Sequence, residues 1–205
     1  MKYKLTDETK VVDNITLHRI KALKSFENVK KGDWGGWIES EKNLSQRGNA
    51  RISGNAWVGG NAWVGGFARV GGNAKVGGNA KVNGYAKVSG NATVCENAMV
   101  YGSARISGNA TVGENAMVCE NAMVCENADY IVFKNWWSSG RYFTWTRSNN
   151  KWTVGCFFGT GDELVAKAYK DSEKSGREYE RVVRYVESIL KEEDNDNGNR
   201  NKREG

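Results

Sequence analysis

The chain has 205 residues, a net charge of +6, 25 glycines and no proline. That length suits one elongated domain with small appended modules, and the lack of any apolar run of signal-peptide or membrane-span length gives the expectation of a soluble, cytoplasmic protein. Four cysteines without a C-x-x-C pair and a single histidine, His18, argue against a zinc centre and for reduced structural thiols, so no metal or cofactor is expected.

Residues 1–47 are read as an N-terminal β-hairpin and capping segment. Strand-like runs at Lys10–Val12 and Ile15–Leu17 flank the turn signal Asp13-Asn14. An open solenoid end would expose strand edges and a core cross-section, and Trp34, Trp37, Ile38 and Leu44 are the expected plug. The glycine-rich run around Trp34 has no Walker pattern, which favours capping over phosphate binding.

From Gly48 to Cys125 a six-residue unit, Gly-Asn-Ala-x-Val-x, recurs thirteen times without a break. A period of six fits neither the 3.6-residue helix nor a heptad, and suits short strands joined by turns, so residues 48–127 are read as a parallel β-helix. The Ala and the aliphatic residue two places later face inward, and the Gly-Asn pair makes the corners. If three units close a triangular coil, residues eighteen apart stack at about 4.8 Å. The outward residues then form three columns: Arg51, Arg69, Lys87, Arg105 and Met123; Trp57, Lys75, Thr93 and Thr111; and Trp63, Lys81, Met99 and Met117.

Stacked like charges repel, which makes the first column unusual. Beside it, Phe67 and Tyr85 replace the corner Asn on successive coils. A basic ladder next to stacked rings suits a phosphorylated ligand, and equally a protein interface or a solvated face. Trp63, Met99 and Met117 make the third column the more apolar one, and hence the expected oligomer seam.

Phe26–Ile38, the following Asn43-Leu44-Ser45-Gln46 and the repeats resemble YdcK-like hexapeptide-repeat proteins of the phage and prophage type, over roughly residues 1–127. The resemblance implies a left-handed β-helix, homotrimer formation and a phage setting. The transferase label attached to such sequences carries no established activity.

Residues 128–192 are read as a ββα-type module. Tyr130–Phe133, Arg141–Thr146 and Lys151–Phe158 are its expected strands. Capping boxes at Thr160–Glu163 and Ser175–Glu178 each open an amphipathic helix, and residues 193–205 are read as a disordered tail. No acid lies between Asp129 and Asp162, while Trp136, Trp137, Arg141, Tyr142, Trp145, Arg147, Lys151 and Trp152 combine rings with cations, a mixture suited to nucleotides or single strands and equally to a small β core.

Acyltransferases of the hexapeptide type commonly use a histidine base near the subunit interface, and this solenoid has none. The leading expectation is therefore a non-enzymatic binding protein that captures a host component, either a nucleotide signal or a defence protein. A structural scaffold is the second reading. An acyltransferase using coenzyme A or a nucleotide-linked donor is the third.

Overall fold

The computed structural model describes residues 1–201, with side chains described through residue 193. Each hexad contributes a two-residue strand that pairs in parallel with the strand eighteen residues on, as in Arg51↔Arg69, Trp57↔Lys75 and Trp63↔Lys81. The three expected columns are thus the outer rows of three flat sheets. Inside, every hexad Ala from Ala50 to Ala122 and every aliphatic residue from Ile52 to Val124 is buried in one continuous core. A methyl beside a branched chain suits the close packing of a narrow triangle.

The corners explain the rest of the repeat. Gly78 takes φ +62°, and a Cβ there would lie 2.7 Å from the backbone nitrogen of Glu96 one coil on. Asn55, Asn73, Asn91 and Asn109 pass amide hydrogen bonds along the axis at 3.2, 3.1 and 3.1 Å.

The N-terminal hairpin is longer than expected, with β1 (Tyr3–Val12) antiparallel to β2 (Ile15–Ala22). Strand β3 (Trp34–Ile38) joins β2 and pairs in parallel with Trp57–Val58, so the hairpin extends one solenoid face into a seven-stranded sheet. Ile38 sits beneath Val58 and Leu44 beneath Val64, each twenty residues ahead rather than eighteen. The winding therefore starts before Gly48, in a coil whose corner is two residues longer, and the regular period conceals it. Of the expected plug, Ile38 and Leu44 are buried, Trp37 is half-buried, and Trp34 stands 49% exposed on the outside. Tyr3 and Ile20 complete the end of the core.

Between coils, N–H groups at hexad positions two, four and six donate to carbonyls of the next coil, as in Asn49 to Gly66, Arg51 to Ala68 and Ser53 to Val70. First-coil carbonyls consequently need donors from outside the repeat, and last-coil N–H groups need acceptors. The buried Asn43 amide donates to Gly60 and Ala62 carbonyls at 3.0 and 2.8 Å, and the buried Lys2 ammonium to those of Gly48 and Ala50 at 3.3 and 2.7 Å. At the other end Thr111, Met117 and Met123 N–H groups donate to Asn127 Oδ1, Thr144 Oγ1 and Ser148 Oγ at 2.7, 2.9 and 2.7 Å. The C-terminal module is thus an end cap.

Its sheet has four antiparallel strands, Tyr130–Lys134, Tyr142–Thr146, Lys151–Val154 and Phe157–Gly159. Gly155, at φ +57°, breaks the third expected strand into a hairpin. Helix α1 (Gly161–Asp171) opens on the expected Thr160–Glu163 box. Helix α2 (Glu173–Asn201) starts before the second expected box: Ser172 Oγ accepts the Ser175 N–H at 3.1 Å, so Ser172 caps it and Ser175 lies in its first turn. The helix is continuous to Asn201, through the start of the expected tail, and residues 202–205 lie outside the described residues. Among the described residues no helix is long and apolar enough to cross a membrane.

Candidate functional site

Three consecutive rungs of one face carry Arg69, Lys87 and Arg105 outward. Two residues before each, at the adjoining corner, stand Phe67, Tyr85 and Ser103. Since the coil fixes both positions, the cations and corner side chains rise side by side in two parallel rows. The Phe67 and Tyr85 rings stack with centroids 4.8 Å apart and planes 12° from parallel. They replace at this corner the amide ladder that the Asn-bearing corners carry. Both remain exposed, Phe67 at 39% and Tyr85 at 62%. Together the six residues line a groove of about 270 Å³.

The charge along the groove is graded. Glu27, held at φ +45° in the loop after β2, pairs with both Arg51 and Arg69, the latter at 3.1 Å. The single carboxylate thereby offsets half of the charge of that N-terminal pair. Lys87 and Arg105 are exposed and, among the described residues, have no acidic partner. Exposed cations of this kind, next to exposed ring faces, can meet phosphate and stack a base. Glu27 lies outside the repeat and 24 and 42 residues from its partners, so no periodic signal announces it.

The other expected site residues are not gathered into one place. Trp137, Trp145 and Trp152 are core, packed with Phe143 and Tyr179. Trp145 donates to Asn150 Oδ1 at 2.9 Å. Arg147 pairs with Glu193 at 2.8 Å, Lys151 is half-buried in its strand, and Trp136 is 74% exposed with its ring edge-on to Trp137. Arg141 and Tyr142 share a shallower groove of about 220 Å³ with Met99 and Met117. Of the seam residues, Met99 and Met117 are half-buried, and Trp63 lies over Gly65 so closely that a Cβ there would overlap its ring. The alternation of strand faces does not say which rings turn inward, and the packing of α1 and α2 on the sheet decides it.

A further cluster went unread in the sequence. Lys10 lies 4.5 Å from the Trp37 ring centre, Arg19 lies 5.0 and 5.7 Å from Trp34 and Trp37, and Lys21 lies 4.8 Å from Trp34. These cations already face rings, and Arg19 also pairs with Glu8 at 3.0 Å. Strand pairing across β1, β2 and β3 brings them together.

Groups suited to catalysis are dispersed. His18 Nδ1 lies 3.2 Å from the Thr6 carbonyl within the hairpin. Burial pushes the Cys119 and Cys95 thiols up from their ordinary range, with Glu96 adding to the effect at Cys95, and a protonated thiol is a poor nucleophile. No group of three or more metal-ligating side chains occurs among the described residues.

The model of the YdcK β-solenoid repeat matches residues 48–66 and 104–120, about one coil near each end of the winding. These two stretches are thus similar to the YdcK β-solenoid repeat. No curated protein matches it.

Proposed function

We propose that this β-solenoid is a non-catalytic binding protein, and that its groove of Phe67, Tyr85, Arg69, Lys87 and Arg105 captures a phosphorylated, ring-bearing ligand. The observation that carries the reading is the exposed ring stack set directly beside a row of cations whose C-terminal half has no acidic partner among the described residues. The fold requires neither feature: stacked like charges on one sheet face are unfavourable unless countered, and the ring pair, although its stacking is itself stabilising, exposes more apolar surface than the Asn that serves at other corners. In the phage setting that the resemblance implies, the captured component is a host nucleotide signal.

The test is calorimetry against cyclic dinucleotides, ADP-ribose derivatives, coenzyme A and short single strands. Arg69→Glu with Lys87→Glu should abolish binding of whichever nucleotide the wild type takes up, while Arg141→Glu on the C-terminal module should leave it intact. The fold should survive these changes, because the exposed charges of Lys87 and Arg141 contribute little to stability and Arg69, half-buried, gives up a surface pair with Glu27. The half-buried apolar column of Trp63, Met99 and Met117 favours a second reading, assembly into a scaffold. That reading stands alone if nothing on the panel binds more tightly than millimolar, and turnover of an acyl donor would replace both with a transferase.

A further inference from the structure

The aromatic row at this corner stops one rung short of the cations. Arg69, Lys87 and Arg105 occupy three consecutive rungs, whereas the corner residues of those rungs are Phe67, Tyr85 and Ser103. Phe67 and Tyr85 are already in stacking contact, so no ring enters between them. Tyr85 is the more exposed of the two, 62% against 39%, as expected if its outer face is left uncovered by the small Ser103 beyond it. The next corner residue along the axis is Asn121, two coils from Tyr85, which leaves a gap of about 9–10 Å between the two positions. Among the described corner residues, the one that stands in that gap is Ser103, with a hydroxymethyl side chain.

The charges beside the gap differ from those at the other end of the row. Glu27 already occupies Arg51 and Arg69. Lys87 and Arg105 belong to the rungs of Tyr85 and Ser103 themselves, and are exposed. Glu120, also exposed, begins the following rung, so attraction for an anion is concentrated between Lys87 and Arg105 rather than spread along the corner.

We infer that the Ser103 rung is a single-ring slot: the base of one nucleotide stacks on the outer face of Tyr85, taking the next place in the Phe67–Tyr85 row, and its phosphates lie against Lys87 and Arg105. This rests on the groove reading above and adds the ligand's size and position. A mononucleotide or nucleoside diphosphate fits, since one ring fills the slot and two cations match a short phosphate chain.

The experiment titrates ADP, adenosine and pyrophosphate into the wild type and into Ser103→Tyr, Ser103→Ala and Lys87→Glu/Arg105→Glu, with circular dichroism confirming that each variant is folded. The inference expects ADP to bind about tenfold or more tightly than either adenosine or pyrophosphate, because ring and phosphate contacts add. Ser103→Tyr should lengthen the protein's own stack and lose ADP, while Ser103→Ala keeps it. If ADP binds equally well to Ser103→Tyr but is lost in the charge-reversed variant, the groove reading survives and the slot is wrong. Pyrophosphate binding as tightly as ADP overturns the slot in favour of a plain anion site. No measurable binding of any of the three overturns the slot, and the wider panel above then decides whether the groove reading falls with it.

Discussion

An ammonium group at the mouth of an apolar prism sets the clearest residue-scale expectation. Lys2 is 1% exposed, with its Nζ on the first-coil carbonyls and near the Phe26 ring, and burial together with nearby Lys24 pushes its pKa down to about 8. The unfolded chain binds that proton up to about pH 10.4, so between about pH 8 and 10 it holds more protons than the native state, and stability rises with pH. Burial acts in the opposite sense on Tyr3, Tyr101, Tyr130 and Tyr179, whose phenols are pushed up. Their contribution is complete below about pH 10 and is lost above it, where the unfolded phenols ionise. Chemical denaturation across pH 7–11 should therefore show stability rising by about 1–3 kcal/mol and then falling. Lys2→Met should flatten the rise and keep the fall; a rise of the same size in that variant would show that another group causes it. The corners make a second test. Glu96 holds a positive φ of 56° where most hexads have Gly, so Glu96→Gly should be neutral or stabilising by up to about 1 kcal/mol. Gly78→Ala meets both the positive φ and a backbone atom at 2.7 Å, and should destabilise by about 1–3 kcal/mol in the same melts.

Within the elements, the decisive contrast is between neighbours on one rung. Val82 is fully buried and Lys81 exposed, so Val82→Asp should unfold the prism while Lys81→Asp shifts its stability by less than about 1 kcal/mol. Equal sensitivity would reverse the assignment of inside and outside. At the N-terminal end, Asn43→Ala removes the donors for one buried and one partly buried carbonyl and should cost about 1–3 kcal/mol, with faster hydrogen exchange confined to the first coils. Asn79→Ala, in the exposed amide ladder, should cost about 1 kcal/mol or less. This difference also marks how far the sequence could be read. The hexad determines inward and outward positions, the eighteen-residue stacking and the neighbourhood of Phe67, Tyr85, Arg69 and Lys87, because each follows from one repeated geometry. The end caps follow from no period: Lys2, Asn43, Thr144 and Ser148 are recognisable only once the unpaired groups they satisfy are in place. The same holds for Glu27 on the basic ladder and for the burial of Trp137, Trp145 and Trp152 under two helices.

At the scale of the whole molecule, the prism offers the cation row and the Trp63, Met99 and Met117 column on different faces, so ligand capture and self-association need not compete. A trimer through the apolar column would have a mass of about 68 kDa, three times 22.7 kDa. Light scattering should give that value for the wild type and a lower one for Met99→Asp; a wild-type monomer across micromolar concentrations would remove the seam. The groove reading is more central, and amide chemical shifts recorded during an ADP titration address it most directly. Shifts should cluster on residues 84–88 and 102–106, on the two rungs that carry Tyr85 with Lys87 and Ser103 with Arg105. Saturable shifts confined to the C-terminal module would contradict the groove reading, whereas no shifts up to millimolar ADP would overturn the single-ring slot and leave the groove to the wider ligand panel.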